Sequence, residues 1–96
     1  MTIPKSLQPV LWSKKISLLD KEDDKDYIIH QVLSLGDMKQ VRWLMDAYGA
    51  KRVRSVFLQH PQRVYSPSAF HFCSRFIIDA PKIRAQKYVQ ASLRDS

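Results

Sequence analysis

An all-α fold, a compact bundle of four to five short helices, is the architecture this 96-residue sequence predicts. Three observations predict it. Apolar residues recur at spacings of three and four through successive short segments, the signature of amphipathic helices. Gly, Pro and Asp/Ser capping residues punctuate those segments. No alternating strand pattern occurs beyond Arg63, Val64 and Tyr65, a run too short to define a strand. The length suits one domain with a single core: an N-terminal arm over residues 1–15, a helical core over 16–79, and a basic C-terminal helix or tail over 80–96.

Pro4 and Pro9 break the first dozen residues into an extended arm or short helix, and Leu7, Val10, Leu11 and Trp12 are placed to pack down as a clasp. Asp20 reads as the N-cap of the first helix, with Glu22, Asp23 and Asp24 in its first turn, where the helix dipole favours negative charge. Ile28, Ile29, Val32, Leu33 and Leu35 form its buried face, and Gly36 stops it. Asp37 caps the second helix, with Gln40 at the capping-box position. Met38, Val41, Leu44, Met45 and Tyr48 are its buried stripe, with Trp43 to one side, and Gly49 ends it.

Residues 50–59 make a third helix, ended by His60 and Pro61. Ser66 as N-cap and Pro67 at the first helical position start a fourth. Ala69, Phe70, Phe72, Cys73, Phe76 and Ile77 cover a wide arc of it, which predicts the central helix of the bundle. Asp79, Ala80 and Pro81 break the chain before a fifth helix over 82–94 with a ragged stripe of Ile83, Tyr88, Val89 and Leu93.

The formal charge is +7, from 16 Lys+Arg against 9 Asp+Glu. It is uneven. Residues 1–19 carry Lys5, Lys14 and Lys15 and no acid, residues 20–26 (DKEDDKD) are net acidic, and residues 50–65 carry Lys51, Arg52, Arg54 and Arg63 with no acid. Such a balance points to nucleic acid or to an acidic protein surface. No apolar run approaches the roughly 20 residues that span a bilayer. The first residues lack the apolar stretch of a secretory signal. The single cysteine excludes an internal disulfide. A cytoplasmic location is expected.

The second and third helices, joined at a glycine, match a minimal helix-turn-helix pattern. On a helical wheel Val53, Val56 and Phe57 face the core, while Lys51, Arg52, Arg54, Ser55 and Gln59 lie opposite, a set suited to phosphates and base edges. Arg63 follows close behind. An equally simple account is a solvated, charged face. Leu58 falls among these cations and is a candidate protein contact. Homodimerisation would accompany operator binding.

Catalysis and metal binding are not expected. His71 and Cys73 stand two apart on a helix, on divergent faces, and neither His30 nor His60 belongs to a second ligand pair. The carboxylates of residues 20–26 are explained by capping. Gly-rich phosphate loops and nucleophile elbows are absent, so neither a catalytic residue nor a cofactor site is assigned. The aromatic residues at helical spacing read as core.

Several segments resemble a small prokaryotic domain of unknown function. They are PKSLQPVLW at residues 4–12, YIIHQVLSLGD at 27–37, Arg42-Trp43-Leu44 with Tyr48-Gly49, Val53-Arg54-Ser55-Val56, and Arg63 with Ser66, Pro67 and Phe70. The similarity runs from residue 4 to about 79, with Tyr65 standing where the pattern has an aliphatic residue. Members of that family are often encoded beside nucleotidyltransferase toxins of the abortive-infection class. The resemblance therefore implies a non-enzymatic, antitoxin-like protein that binds such a toxin and also, in one version, DNA. The alternatives are a helix-turn-helix transcriptional regulator acting through residues 50–60, and a subunit-interaction domain using residues 82–94.

Overall fold

A computed structural model of the protein describes residues 3–78 and 83–89. Its helices are α1 (Lys25–Leu35), α2 (Met38–Tyr48), α3 (Ala50–Gln59) and α4 (Pro67–Phe72), the last running into a π-helical turn over Cys73–Ile77. Short 3₁₀ turns occupy Lys5–Leu7, Ile16–Leu18 and Ala85–Lys87. The fold is all-α, as the periodicity predicts. Among the described residues the β-type pairing is one isolated bridge between Tyr65 and Val89.

The arm packs as a clasp through Leu7, Val10 and Leu11, all buried. The Leu11 N–H donates to the Leu7 carbonyl at 2.9 Å. That turn places residues 7, 10 and 11 on one side. Trp12 is thereby rotated outward and is 70% exposed, contrary to its expected place in the clasp. The buried Gln31 Nε2 of α1 donates to the Val10 carbonyl at 2.9 Å and fastens the arm to the helix.

Asp20 is a cap, but of a separate turn ahead of α1. Its Oδ2 accepts from the backbone N–H groups of Glu22 and Asp23, and the Asp24 carboxylate accepts from the Asp20 N–H. The acids thus close a tight turn, and the helix proper starts at Lys25. α1 is the central element: Ile28, Ile29, His30, Gln31, Val32 and Leu33 are all buried in it. Leu35 and Met38 were expected inside and are exposed. They flank the α1–α2 corner, where the apolar stripes of both helices run past the end of the core. At that corner Gly36 has an extended backbone (φ −76°, ψ 156°). Its need for glycine is spatial, since a Cβ would stand 2.6 Å from the Val32 carbonyl oxygen.

In α2 the predicted capping box is complete. The Asp37 carboxylate accepts from the Gln40 N–H and the Gln40 Oε1 accepts from the Asp37 N–H, each at 2.8 Å. Gly49, at φ 88°, is at once the last cap of α2 and the first of α3. Val53, Val56 and Phe57 of α3 are buried as predicted.

α4 is not the central helix. It is six residues long, and Phe72 and Phe76 are 39% and 72% exposed. The π turn is the cause. Its wider spacing, closed by the Ile78 N–H on the Cys73 carbonyl at 2.8 Å, brings Cys73, Ser74 and Ile78 inward and leaves the Phe72 and Phe76 rings against each other outside. The N-cap prediction holds, with Ser66 Oγ accepting from the Ala69 N–H at 3.1 Å.

Within the expected fifth helix, residues 83–89 hold a 3₁₀ turn over Ala85–Lys87 and the bridge residue Val89, while 82 and 90–94 lie outside the described residues, as does the predicted break at 79–81. The Tyr65 N–H donates to the Tyr88 carbonyl at 2.9 Å. The Tyr88 ring stacks on Phe57 with centroids 4.5 Å apart, and its hydroxyl donates to the Phe57 carbonyl at 2.7 Å.

Candidate binding surface

The predicted contact residues of α3 are all on one exposed side of the helix, but they divide into two groups. Arg52 makes a bidentate ion pair with Glu22, at 2.7 and 2.9 Å. Arg54 Nε donates to the Ile78 carbonyl at 3.1 Å, and Arg63 Nε donates to the Gln86 carbonyl at 2.7 Å. These guanidinium groups therefore hold the fold as well as facing solvent. Lys51, Ser55 and Gln59 have no side-chain partner among the described residues and form a stripe at spacings of four. Leu58 is half-buried and packs on the core, with the rest of its side chain open among the α3 cations. It stands one turn beyond Arg54, on the side along which residue 78 returns.

The acidic turn of residues 20–24 sits against the α2–α3 junction. The Tyr48 hydroxyl donates to the Lys21 carbonyl at 2.7 Å, and the Lys21 ammonium lies 5.0 Å from the centre of the Tyr48 ring. Burial, reinforced by the Glu22 carboxylate, pushes the Tyr48 hydroxyl up to about 12. Glu22 thus brings a negative charge to the N-terminal turn of α3, where three neighbouring cations, Lys51, Arg52 and Arg54, would otherwise face the positive end of the helix dipole. The connection between α2 and α3 is Gly49 alone. A DNA-reading helix-turn-helix has a turn of about three to four residues.

A second surface lies on the arm. Trp12 and Leu18 are 70% and 79% exposed. Lys14 lies 4.8 Å from the Tyr27 ring centre and 3.8 Å from Asp24. An open groove of about 980 Å³ runs between the arm and the segment ahead of α1, lined by residues that include Lys5, Gln8, Lys15, Ile16, Leu19 and Lys21. The sequence carried one sign of this surface, the unbalanced lysines of residues 1–19 around a tryptophan.

The histidine and cysteine candidates do not converge. Cys73 is buried, its Sγ donates to the Leu33 carbonyl, and burial pushes its thiol up to about 12. His71 is exposed. His30 is buried between Tyr65 and the His60 carbonyl, 2.7 Å from each, and burial lowers its pKa. No group of three or more His, Cys, Asp or Glu able to hold a metal occurs among the described residues. Nor is any described helix long and apolar enough to cross a membrane.

An all-helical domain with a basic, partly apolar surface is the class these features define. The chain belongs to the family of unknown function DUF6922, whose model matches residues 7–57. That span takes in the arm from Leu7, the acidic turn, α1, α2 and most of α3, and it is shorter than the resemblance over 4–79. No curated protein and no solved structure matches the chain.

Proposed function

We propose that this protein acts by binding rather than by catalysis, as an antitoxin-like domain of the cytoplasm whose partner is a nucleotidyltransferase-type toxin encoded beside it. The observation that carries this reading is the exposure of large apolar side chains, Trp12, Leu18 and Phe76 each at 70% or more, on a strongly basic chain. Aromatic anchors surrounded by polar residues are what a protein partner buries. The resemblance of residues 4–79 to a family encoded beside such toxins supplies the partner class.

DNA is the second reading, favoured by the stripe of Lys51, Ser55 and Gln59, which has no side-chain partner among the described residues. Two features weigh against it. The arginine nearest the start of α3 is held by Glu22, and the one-residue connection departs from helix-turn-helix geometry.

Co-expression of the chain with the adjacent nucleotidyltransferase tests the proposal. Rescue of growth and recovery of a stoichiometric complex are expected. Continued toxicity with the two proteins eluting apart would overturn it. Salt-sensitive retention of duplex DNA, lost on Lys51→Ala with Gln59→Ala, would favour the second reading.

A further inference from the structure

We infer that the groove between the arm and the segment ahead of α1 receives an acidic segment of a protein partner that carries apolar anchor side chains; this deepens the protein-binding reading and rests on it. The groove has a volume of about 980 Å³, large enough for several side chains. Its apolar lining includes Ile16 and Leu19, each half-buried against the core with the rest of its surface open. Lys5, Lys15 and Lys21 stand among the lining residues, and neither Lys5 nor Lys15 pairs with a carboxylate among the described residues. The acid lining the groove is Asp20, whose Oδ2 is already engaged by the N–H groups of Glu22 and Asp23. Three ammonium groups against one carboxylate make the charge offered to an occupant positive.

The groove is also built before anything enters it. The Gln8 amide donates to the carbonyls of Leu11 and Lys14 at 3.0 and 2.9 Å, and its Oε1 accepts from the Ile16 N–H at 3.1 Å. One side chain thus pins the arm to the opposite wall, so little ordering remains to oppose binding. A second recess, lined by Pro9, Trp12 and Lys14, shares Gln8 and Lys15 with the groove and extends it toward the exposed tryptophan. A phosphate backbone can pair with the lysines but has nothing to set against the apolar floor, and a flat lipid surface cannot enter a concave groove. A peptide with carboxylates for the lysines and aliphatic side chains for the floor satisfies both.

The test is titration of the ¹⁵N-labelled full chain with a short synthetic peptide of Glu and Leu residues, followed by amide chemical shifts. Saturable shifts at Lys5, Gln8, Ile16, Leu19 and Lys21 are expected. Lys5→Glu with Lys15→Glu, both at exposed positions, should weaken binding at least about tenfold through like-charge repulsion, and the same peptide with Ser for Leu should bind far more weakly. Shifts confined to residues 50–59, absence of saturation, or equal binding of the Ser peptide would overturn the inference. So would stronger shifts in the groove with phosphatidylglycerol vesicles or duplex DNA. A toxin complex untouched by the lysine reversals sinks the groove and leaves the protein-binding reading. Peptide binding in the groove without any toxin complex removes the toxin as the partner and leaves the groove.

Discussion

The Tyr65 hydroxyl lies 2.7 Å from Nδ1 of His30, with both side chains fully buried. The other ring nitrogen of His30 faces the His60 carbonyl, which can only accept, so Nε2 carries the proton and Nδ1 accepts from Tyr65. This contact joins the central helix to the chain beyond residue 57, where the family match ends. Tyr65→Phe leaves a buried nitrogen without a donor. A loss of about 1–3 kcal/mol is expected, read as a lower urea midpoint with an unchanged slope. A change of only a few tenths would mean the pair contributes nothing.

The same histidine makes stability depend on pH. Burial lowers its folded-state pKa; the hydrogen bond to the His60 carbonyl and the Asp26 carboxylate raise it, and the His60 ring lowers it, each by a lesser amount. Unfolded, it titrates near 6.5. Below that value the unfolded chain binds a proton that the folded chain resists, so stability is complete above about 6.5 and falls as the pH drops through the window beneath it. Urea midpoints measured at several pH values across that window should decline for the wild type and decline less for His30→Gln. Equal slopes would contradict this assignment.

Cys73 should resist thiol reagents. It is 1% exposed, and burial holds its thiol up to about 12, so thiolate is scarce near neutral pH. Ellman's reagent should label the protein slowly in native buffer and at once in concentrated urea. Rapid native labelling would show the α1–α4 contact to be open.

The two glycines should fail for different reasons. Gly49 has φ 88° with nothing within 4 Å of an added Cβ, so Gly49→Ala costs backbone strain of about 1–3 kcal/mol. Gly36→Ala instead drives a Cβ against the Val32 carbonyl and should disturb the close of α1. Thermal melts should show both losses. Amide exchange near Val32 should quicken in the second variant alone.

The Arg52–Glu22 pair is exposed on both sides, and Glu22→Gln should change stability by no more than about 1 kcal/mol. The released arginine should retain duplex DNA more strongly at low salt. Unchanged retention would show that Glu22 does not compete with phosphate.

What the sequence made legible is local. The Asp37–Gln40 capping box, the stop at Gly49, the Ser66-Pro67 start and the buried side of α3 each depend on residues within one or two turns. What escaped depends on where the core ends. Leu35, Met38 and Phe76 obey helical periodicity yet fall beyond the core or on the far side of a π turn. The predicted α3 face was legible as a set of cations, but not their partners. Glu22 and the carbonyls of Ile78 and Gln86 are between 23 and 30 residues away in sequence. The arm groove forms only when residue 8 bonds residue 16, and no periodicity announces that.

The proposed partner is a protein rather than DNA, and its proposed seat is the arm. Amide hydrogen exchange of the chain alone and in complex with the adjacent nucleotidyltransferase tests this most directly. Protection concentrated over residues 3–21, with 50–59 unchanged, is the predicted footprint. Protection concentrated over 50–59, with the arm exchanging as freely as before, would contradict it.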